Sequence, residues 1–98
     1  LRLENIGDKG ISAGEQATIK VNNVYIDGAA IGIASKDLSS VTVTDLDMHN
    51  CIQGLAAYRK KPEFGGGIIN VISYTATNVE RLTQNDDESR IFLPQKEN

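Results

Sequence analysis

The sequence predicts an all-β solenoid, in which very short parallel strands stack one pass upon the next around a narrow interior. Three observations predict it. The chain repeats itself at an interval of 22 residues, so that Ile19 and Val21 fall on Val41 and Val43. One position of every repeat is held to Asn or Gly: Asn5, Gly28, Asn50 and Asn78. No segment sustains the apolar spacing of three and four over roughly ten residues that an amphipathic helix requires.

The elements follow in order. Leu1 to Leu3 already reads as a strand, because Leu1 and Leu3 match Val24 and Ile26, and Ile6 matches Ala29. Gly10-Ile11 opens the next repeat and recurs as Gly32-Ile33 and Gly54-Leu55. Val24 and Ile26 fall on Leu46 and Met48, and Ala29 falls on Cys51. In the repeat beginning at Gly32 three strands are expected, Ile33–Ser35, Ser40–Val43 and Leu46–His49, with turns at Lys36–Ser39, at Thr44-Asp45 and around Asn50. Beyond Gly54 the match resumes with a shift of 28, because Lys60–Gly66 inserts about six extra residues. Ile69 and Val71 then continue the Val41 and Val43 columns, and Tyr74 and Ala76 continue Leu46 and Met48. The coils are placed at 1–9, 10–31, 32–53 and 54–81, with 82–98 as a C-terminal loop or cap of the same single domain. Within that last part the charged run Gln84–Arg90 is expected to be a surface loop, Ile91–Leu93 a final strand or cap, and Gln95–Asn98 a frayed end.

The Asn/Gly column has a physical reason. These two residue types adopt positive φ most readily, so their interchange predicts one left-handed corner in every coil. Strands this short bury no face alone; stacked, they form three parallel sheets. At ~4.8 Å per coil, about four coils make a stub roughly 20 Å tall.

Composition narrows the function classes. Ninety-eight residues, 40% hydrophobic and 23% charged, suit one small domain. Trp is absent, so the core rests on Ile, Val, Leu and Ala. The formal net charge of −3 argues against a general nucleic-acid binder. No apolar run has the length of a membrane span, so no membrane insertion is expected. One cysteine, Cys51, excludes an internal disulfide. The chain starts at Leu1 rather than Met, which points to a processed protein or a piece of a longer one. Its first strand would leave a sheet edge open, so further coils upstream or edge-to-edge self-association are expected.

The 22-residue period, the Gly-Ile/Leu-Ser/Ala pattern (Gly10-Ile11-Ser12, Gly32-Ile33-Ala34, Gly54-Leu55-Ala56) and the Asn/Gly corner resemble the right-handed single-stranded parallel β-helix of pectin-lyase-like, PbH1-type repeat proteins. The resemblance covers about residues 1 to 79. It implies the right-handed coil, which the bias of parallel crossovers also favours, and a secreted or cell-surface setting. It implies no activity by itself, since such folds carry lyases, hydrolases, adhesins and non-catalytic surface proteins. The Asp cluster with His and an Arg-Lys pair of polygalacturonase-like members is missing, because His49 stands alone. The acidic calcium ligands of pectate-lyase-like members are missing too. Asp45 stacks with Asn23 and Ser73, and Asp47 with Tyr25 and Thr75, so those columns are polar but not acidic. No catalytic residue, cofactor or metal is assigned.

The one departure from the repeat is YRKKPEFGGG, residues 58 to 67. Stacking sets it beside Lys36-Asp37 and Gly14-Glu15 at one corner, where an insertion builds a binding surface. Tyr58 and Phe64 are suited to stacking on a sugar ring, and Arg59, Lys60 and Lys61 to holding a carboxylate or sulfate. With Lys36 and Asp37 they form the candidate ligand-binding set, and polysaccharide is the partner class they suggest. The plainer alternative is that Phe64 folds back on the sheet and the lysines are solvated. Gly65-Gly66-Gly67 is a flexible return into the strand Ile68–Ile72, not a phosphate loop.

Other groups have plainer readings. His49, between Asp27 and Thr77 in its column, lacks a nucleophile and a third member for catalysis. Asp8, Asp27, Asp37, Asp45 and Asp47 lack calcium-loop spacing and suit turns. Cys51 and Met48 belong to inward columns and should be core. Two functions remain. One is a non-catalytic β-helix module of a bacterial secreted or surface protein, binding glycans through residues 58–67. The other is the C-terminal part of a polysaccharide lyase or glycoside hydrolase whose catalytic coils lie upstream.

Overall fold

The Asn/Gly column is where the backbone turns left-handed. In the computed structural model, which describes residues 1–94, Asn5, Gly28, Asn50 and Asn78 have φ of 53°, 82°, 57° and 56°. The segment expected to fray, residues 95–98, lies outside the described residues. Successive passes of the chain stack on one another in parallel. The strands are β1 (Arg2–Glu4), β2 (Lys9–Ala13), β3 (Thr18–Lys36), β4 (Ser40–Tyr58), β5 (Ile68–Asn85) and β6 (Arg90–Phe92). They form one sheet in the order β1-β3-β4-β5-β6, with β2 beside β3, and every pairing is parallel. No helix occurs among the described residues, so none is long and apolar enough to cross a membrane. This all-β, parallel arrangement is consistent with a β-solenoid.

The register is the one the repeat dictates. Ile19 pairs with Val41, Ile26 with Met48 and Ala29 with Cys51. Across the insertion Val41 pairs with Ile69, and Met48 with Ala76. At the start Leu3 pairs with Ile26. A slip of one residue would turn every apolar column outward, so burial enforces this pairing.

Two expectations of detail are corrected. The three short strands per repeat are single bent strands: β3 and β4 each run through 19 residues, past Thr44-Asp45 and Asn50. A corner made by one left-handed residue turns the chain but leaves its N–H and C=O groups aimed at the neighbouring pass. The ladder skips the corner residue and resumes directly after it, at Ala29, Cys51 and Val79. Likewise, the charged run at Gln84–Arg90 is not wholly loop. β5 extends to Asn85, Ser89 N donates to Asp86 O at 3.2 Å to close a turn, and β6 begins at Arg90. Ile91 then pairs with Ile69, which makes the final apolar segment a strand.

The interior is a stack of aliphatic columns. Ile26, Met48, Ile33, Leu55, Val41, Val43 and Ile69 are fully buried, and Cys51 lies among them. Each large aliphatic side chain so placed contributes ~1.5–3 kcal/mol. Gly32 is required by this packing, since a Cβ there would lie 2.7 Å from Gly54 O and would strike Met48 Sδ.

The corner is open to test. At Gly28, whose added Cβ would meet nothing nearer than 3.6 Å, space is sufficient and only φ is demanding. Gly28→Asn should stay within ~0.5 kcal/mol of the parent in urea unfolding, whereas Gly28→Val should cost ~1–3 kcal/mol. Equal losses for both would show that the left-handed corner is not the constraint.

Candidate functional site

The insertion after β4 is held from the passes on both sides of it. The carboxylate of Asp37, in the turn between β3 and β4, accepts Lys60 N at 2.7 Å and Lys61 N at 2.9 Å through Oδ1. Asp86, in the turn after β5, accepts Arg59 N at 2.7 Å through Oδ2. Its Oδ1 accepts the Ser89 hydroxyl at 2.7 Å and Glu88 N at 3.2 Å. Three consecutive backbone N–H groups of the loop root thus end on carboxylates, which bind such donors more strongly than neutral acceptors do.

The turn that presents Asp37 is itself strained. Ser39 N donates to Lys36 O at 3.1 Å, and both central residues, Asp37 and Leu38, have positive φ of 54° and 64°. This is the geometry of a type I′ turn, normally filled by Asn, Asp or Gly. Leucine in it costs ~1–2 kcal/mol. The loop answers that strain, because Leu38 N donates to the carbonyls of Gly65 and Gly66 at 3.2 and 3.0 Å. Lys61-Pro62-Glu63-Phe64 forms a second turn, closed by Phe64 N donating to Lys61 O at 3.1 Å. Proline at its second position presets the required φ.

The three glycines are fitted rather than loose, which corrects the expectation of a flexible return. A side chain at Gly66 would strike the Glu88 carbonyl and the Ser89 hydroxyl, and one at Gly67 would strike the Ser35 carbonyl. Gly67 N donates to Ser89 Oγ at 3.0 Å, as Ala17 N donates to Ser39 Oγ at 3.1 Å two passes earlier.

The candidate residues divide by position. Tyr58 and Phe64 are half-buried at the loop margins, and Arg59, Lys60 and Lys61 are exposed. Arg59 is paired with Glu88 at 2.8 Å, and Lys61 with Glu15. Lys36 is half-buried, and neither it nor Lys60 makes an ion pair among the described residues. Asp37 is 0% exposed, and its Oδ2, like Ser35 Oγ, has no hydrogen-bond partner among the described residues. Its placement beneath the loop suits it to anchoring the backbone.

The His49 column is arranged differently from its sequence neighbours. His49 Nε2 lies 2.8 Å from Asp47 Oδ1 on its own strand, and its ring sits 5.3 Å from that of Tyr25. Asp27 accepts instead from Asn50 Nδ2 at 2.8 Å, and Asn78 Nδ2 extends the chain to Asn50 Oδ1 at 2.6 Å. The Thr75 hydroxyl, donating to Asp47 Oδ1 at 2.6 Å, holds that carboxyl below its ordinary range; burial opposes it and His49 assists. Among the described residues no three acidic, His or Cys side chains gather to hold a metal.

Sequence reasoning missed Asp86 and Ser89 as loop fasteners. The signal was present, for the 28-residue shift continued past Ala76 pairs Ala57 with Asn85 and so brings Asp86 beside Tyr58. Comparison with known protein families, curated proteins and solved structures finds no match.

Two outcomes test the clamps. In Asp37→Ala, amide exchange at Lys60 and Lys61 should accelerate while Arg59, held by Asp86, keeps its protection; uniform acceleration would mean general unfolding. The pH dependence follows from the same carboxyls. Burial raises Asp37, but the N–H donors of Lys61 and Lys60 and the nearby lysine charges outweigh it and hold its carboxyl below the ordinary carboxylate range. The Arg59 N–H and the Ser89 hydroxyl hold Asp86 below it as well. A depressed folded-state pKa gives stability that is complete above the unfolded value and lost as pH falls through the folded one. The urea midpoint should therefore be level down to about pH 4 and fall below it. A shallower fall is expected in Asp86→Asn, and a profile identical to the parent would remove Asp86 from the account.

Proposed function

We propose that the chain is a non-catalytic module of a right-handed parallel β-helix, about four coils long, that binds glycans through the surface built on residues 58–67. In this reading it belongs to a bacterial secreted or surface protein of pectin-lyase-like type. The observation that supports it is the anchoring of the insertion. A loop whose root N–H groups are held by Asp37 and Asp86, and whose glycines fit against neighbouring passes, is formed before any ligand arrives. Preorganisation of this kind lowers the ordering cost of binding. Tyr58 and Phe64 supply aromatic surface at the two ends of the loop, and exposed Arg59, Lys60 and Lys61 lie between them.

A non-catalytic role is supported by what surrounds the one histidine. His49 contacts a carboxylate, yet the nearest thiol, Cys51, is buried and donates to the His49 carbonyl at 3.5 Å rather than to the ring. A nucleophile–base pair needs the opposite arrangement.

A glycan array comparing the parent chain with one shortened between Lys61 and Gly65 tests the reading. Glycan signal in the parent that falls about tenfold or more on shortening is expected if these contacts carry the binding. An unchanged profile would remove the loop. Release of reducing or unsaturated ends from acidic polysaccharides, abolished by His49→Ala, would replace the module with an enzyme.

A further inference from the structure

Beside the loop, on the outer face of the sheet, a groove of about 290 Å³ runs across successive passes. Its length comes from the stacking: Lys9 lies on β2, Ile31 on β3, Gln53 and Tyr58 on β4, and Gln84 on β5. Its floor is Ala56, buried although it faces outward, because the larger side chains rise around it. The volume lies at the small end of ligand sites and suits one or two sugar rings.

The groove combines an aromatic wall with an amide ladder. Gln53 Nε2 donates to Gln84 Oε1 at 2.8 Å, and Arg81 Nη1 donates to the same oxygen at 2.7 Å. These bonds fix the Gln84 amide and leave its own NH₂, with the Gln53 carbonyl oxygen, free of protein partners among the described residues. A fixed donor and a fixed acceptor side by side match a hydroxyl, which both donates and accepts. The Tyr58 ring offers the flat apolar surface that the C–H face of a pyranose needs.

Charge selects among sugars. The charged residues lining the groove are Lys9 and Asp86, one of each sign. Lys9 already has Asp8 at 3.6 Å, and both oxygens of Asp86 accept donors from the loop and its own turn. The lining therefore carries no excess of either charge, whereas an uncharged ring meets amides and an aromatic face.

We infer that this groove is a binding subsite for neutral pyranose saccharides, with Tyr58 as the stacking surface and Gln53 and Gln84 as hydroxyl partners. The inference rests on the glycan reading above and moves its specificity from the loop's cations to the face of the sheet.

The test is titration calorimetry of the 98-residue chain with neutral oligosaccharides (glucans, mannans, galactans) and with oligouronates. Neutral ligands should bind, and Tyr58→Ala and Gln53→Ala should each weaken them about tenfold. Tyr58→Phe, which keeps the ring, should retain binding, and Lys20→Ala, on a different stretch of β3, serves as control. Unchanged urea midpoints separate lost contacts from lost fold. Neutral binding indifferent to both Tyr58→Ala and Gln53→Ala would overturn the groove. Binding confined to oligouronates and lost on shortening the loop would overturn the groove and leave the glycan reading standing. No glycan binding of either kind removes both.

Discussion

The parallel ladder between successive passes is the interaction on which everything else depends, and it survives because a left-handed backbone corner recurs at the same place in each pass. Asn5, Gly28, Asn50 and Asn78 bend the chain at the same place in each pass, and pairing resumes just beyond, as at Ala29, Cys51 and Val79. The strands can therefore be long while remaining narrow in cross-section, as the 19 residues of β3 and β4 show. The apolar columns follow from the same corner. Because it recurs in phase, Ile26 lands on Met48 and Ala29 on Cys51, and burial of those columns in turn enforces the phase.

The insertion at 58–67 is tolerated because it leaves this phase unchanged. Before it the register runs through Lys36 opposite Tyr58, and after it through Ser40 opposite Ile68. The extra residues are looped out at one corner, and the return through Gly65–Gly67 fits closely against Ser35, Leu38 and Ser89. What fastens the loop is electrostatic as well as geometric. Backbone N–H groups at its root meet carboxylates, while the outer pairs Arg59–Glu88 and Lys61–Glu15 lie where solvent makes such bridges worth little.

The columns were legible in the sequence because identity of type at a fixed interval reports stacking directly. The corner was legible because so few residue types accept positive φ. The continuity of the strands was not, since Thr44, Asp45 and Asn50 look like interruptions to any reading of one strand alone; only the neighbouring pass shows that pairing resumes at Asp45 and at Cys51. The candidate site was legible as an exception to the period, and its neighbours Lys36, Asp37 and Glu15 followed from stacking. What each neighbour does was not legible. Burial separates Asp37 from the exposed cations, and that depends on the loop's path rather than on its composition. Gln53 and Gln84 gave no signal at all, being ordinary polar residues on outward columns until the groove brings them together.

The clamping of one loop by two other passes bears on how such a surface is inherited. Asp37 and Asp86 stand 23 and 27 residues from the N–H groups they hold. The loop is thus not a self-contained cassette. Moved alone into another solenoid, residues 58–67 would leave their anchors behind and arrive as a slack insertion. The heritable unit is three consecutive passes. Within it, change at Asp37 or Asp86 is change to the loop, however distant it looks along the chain.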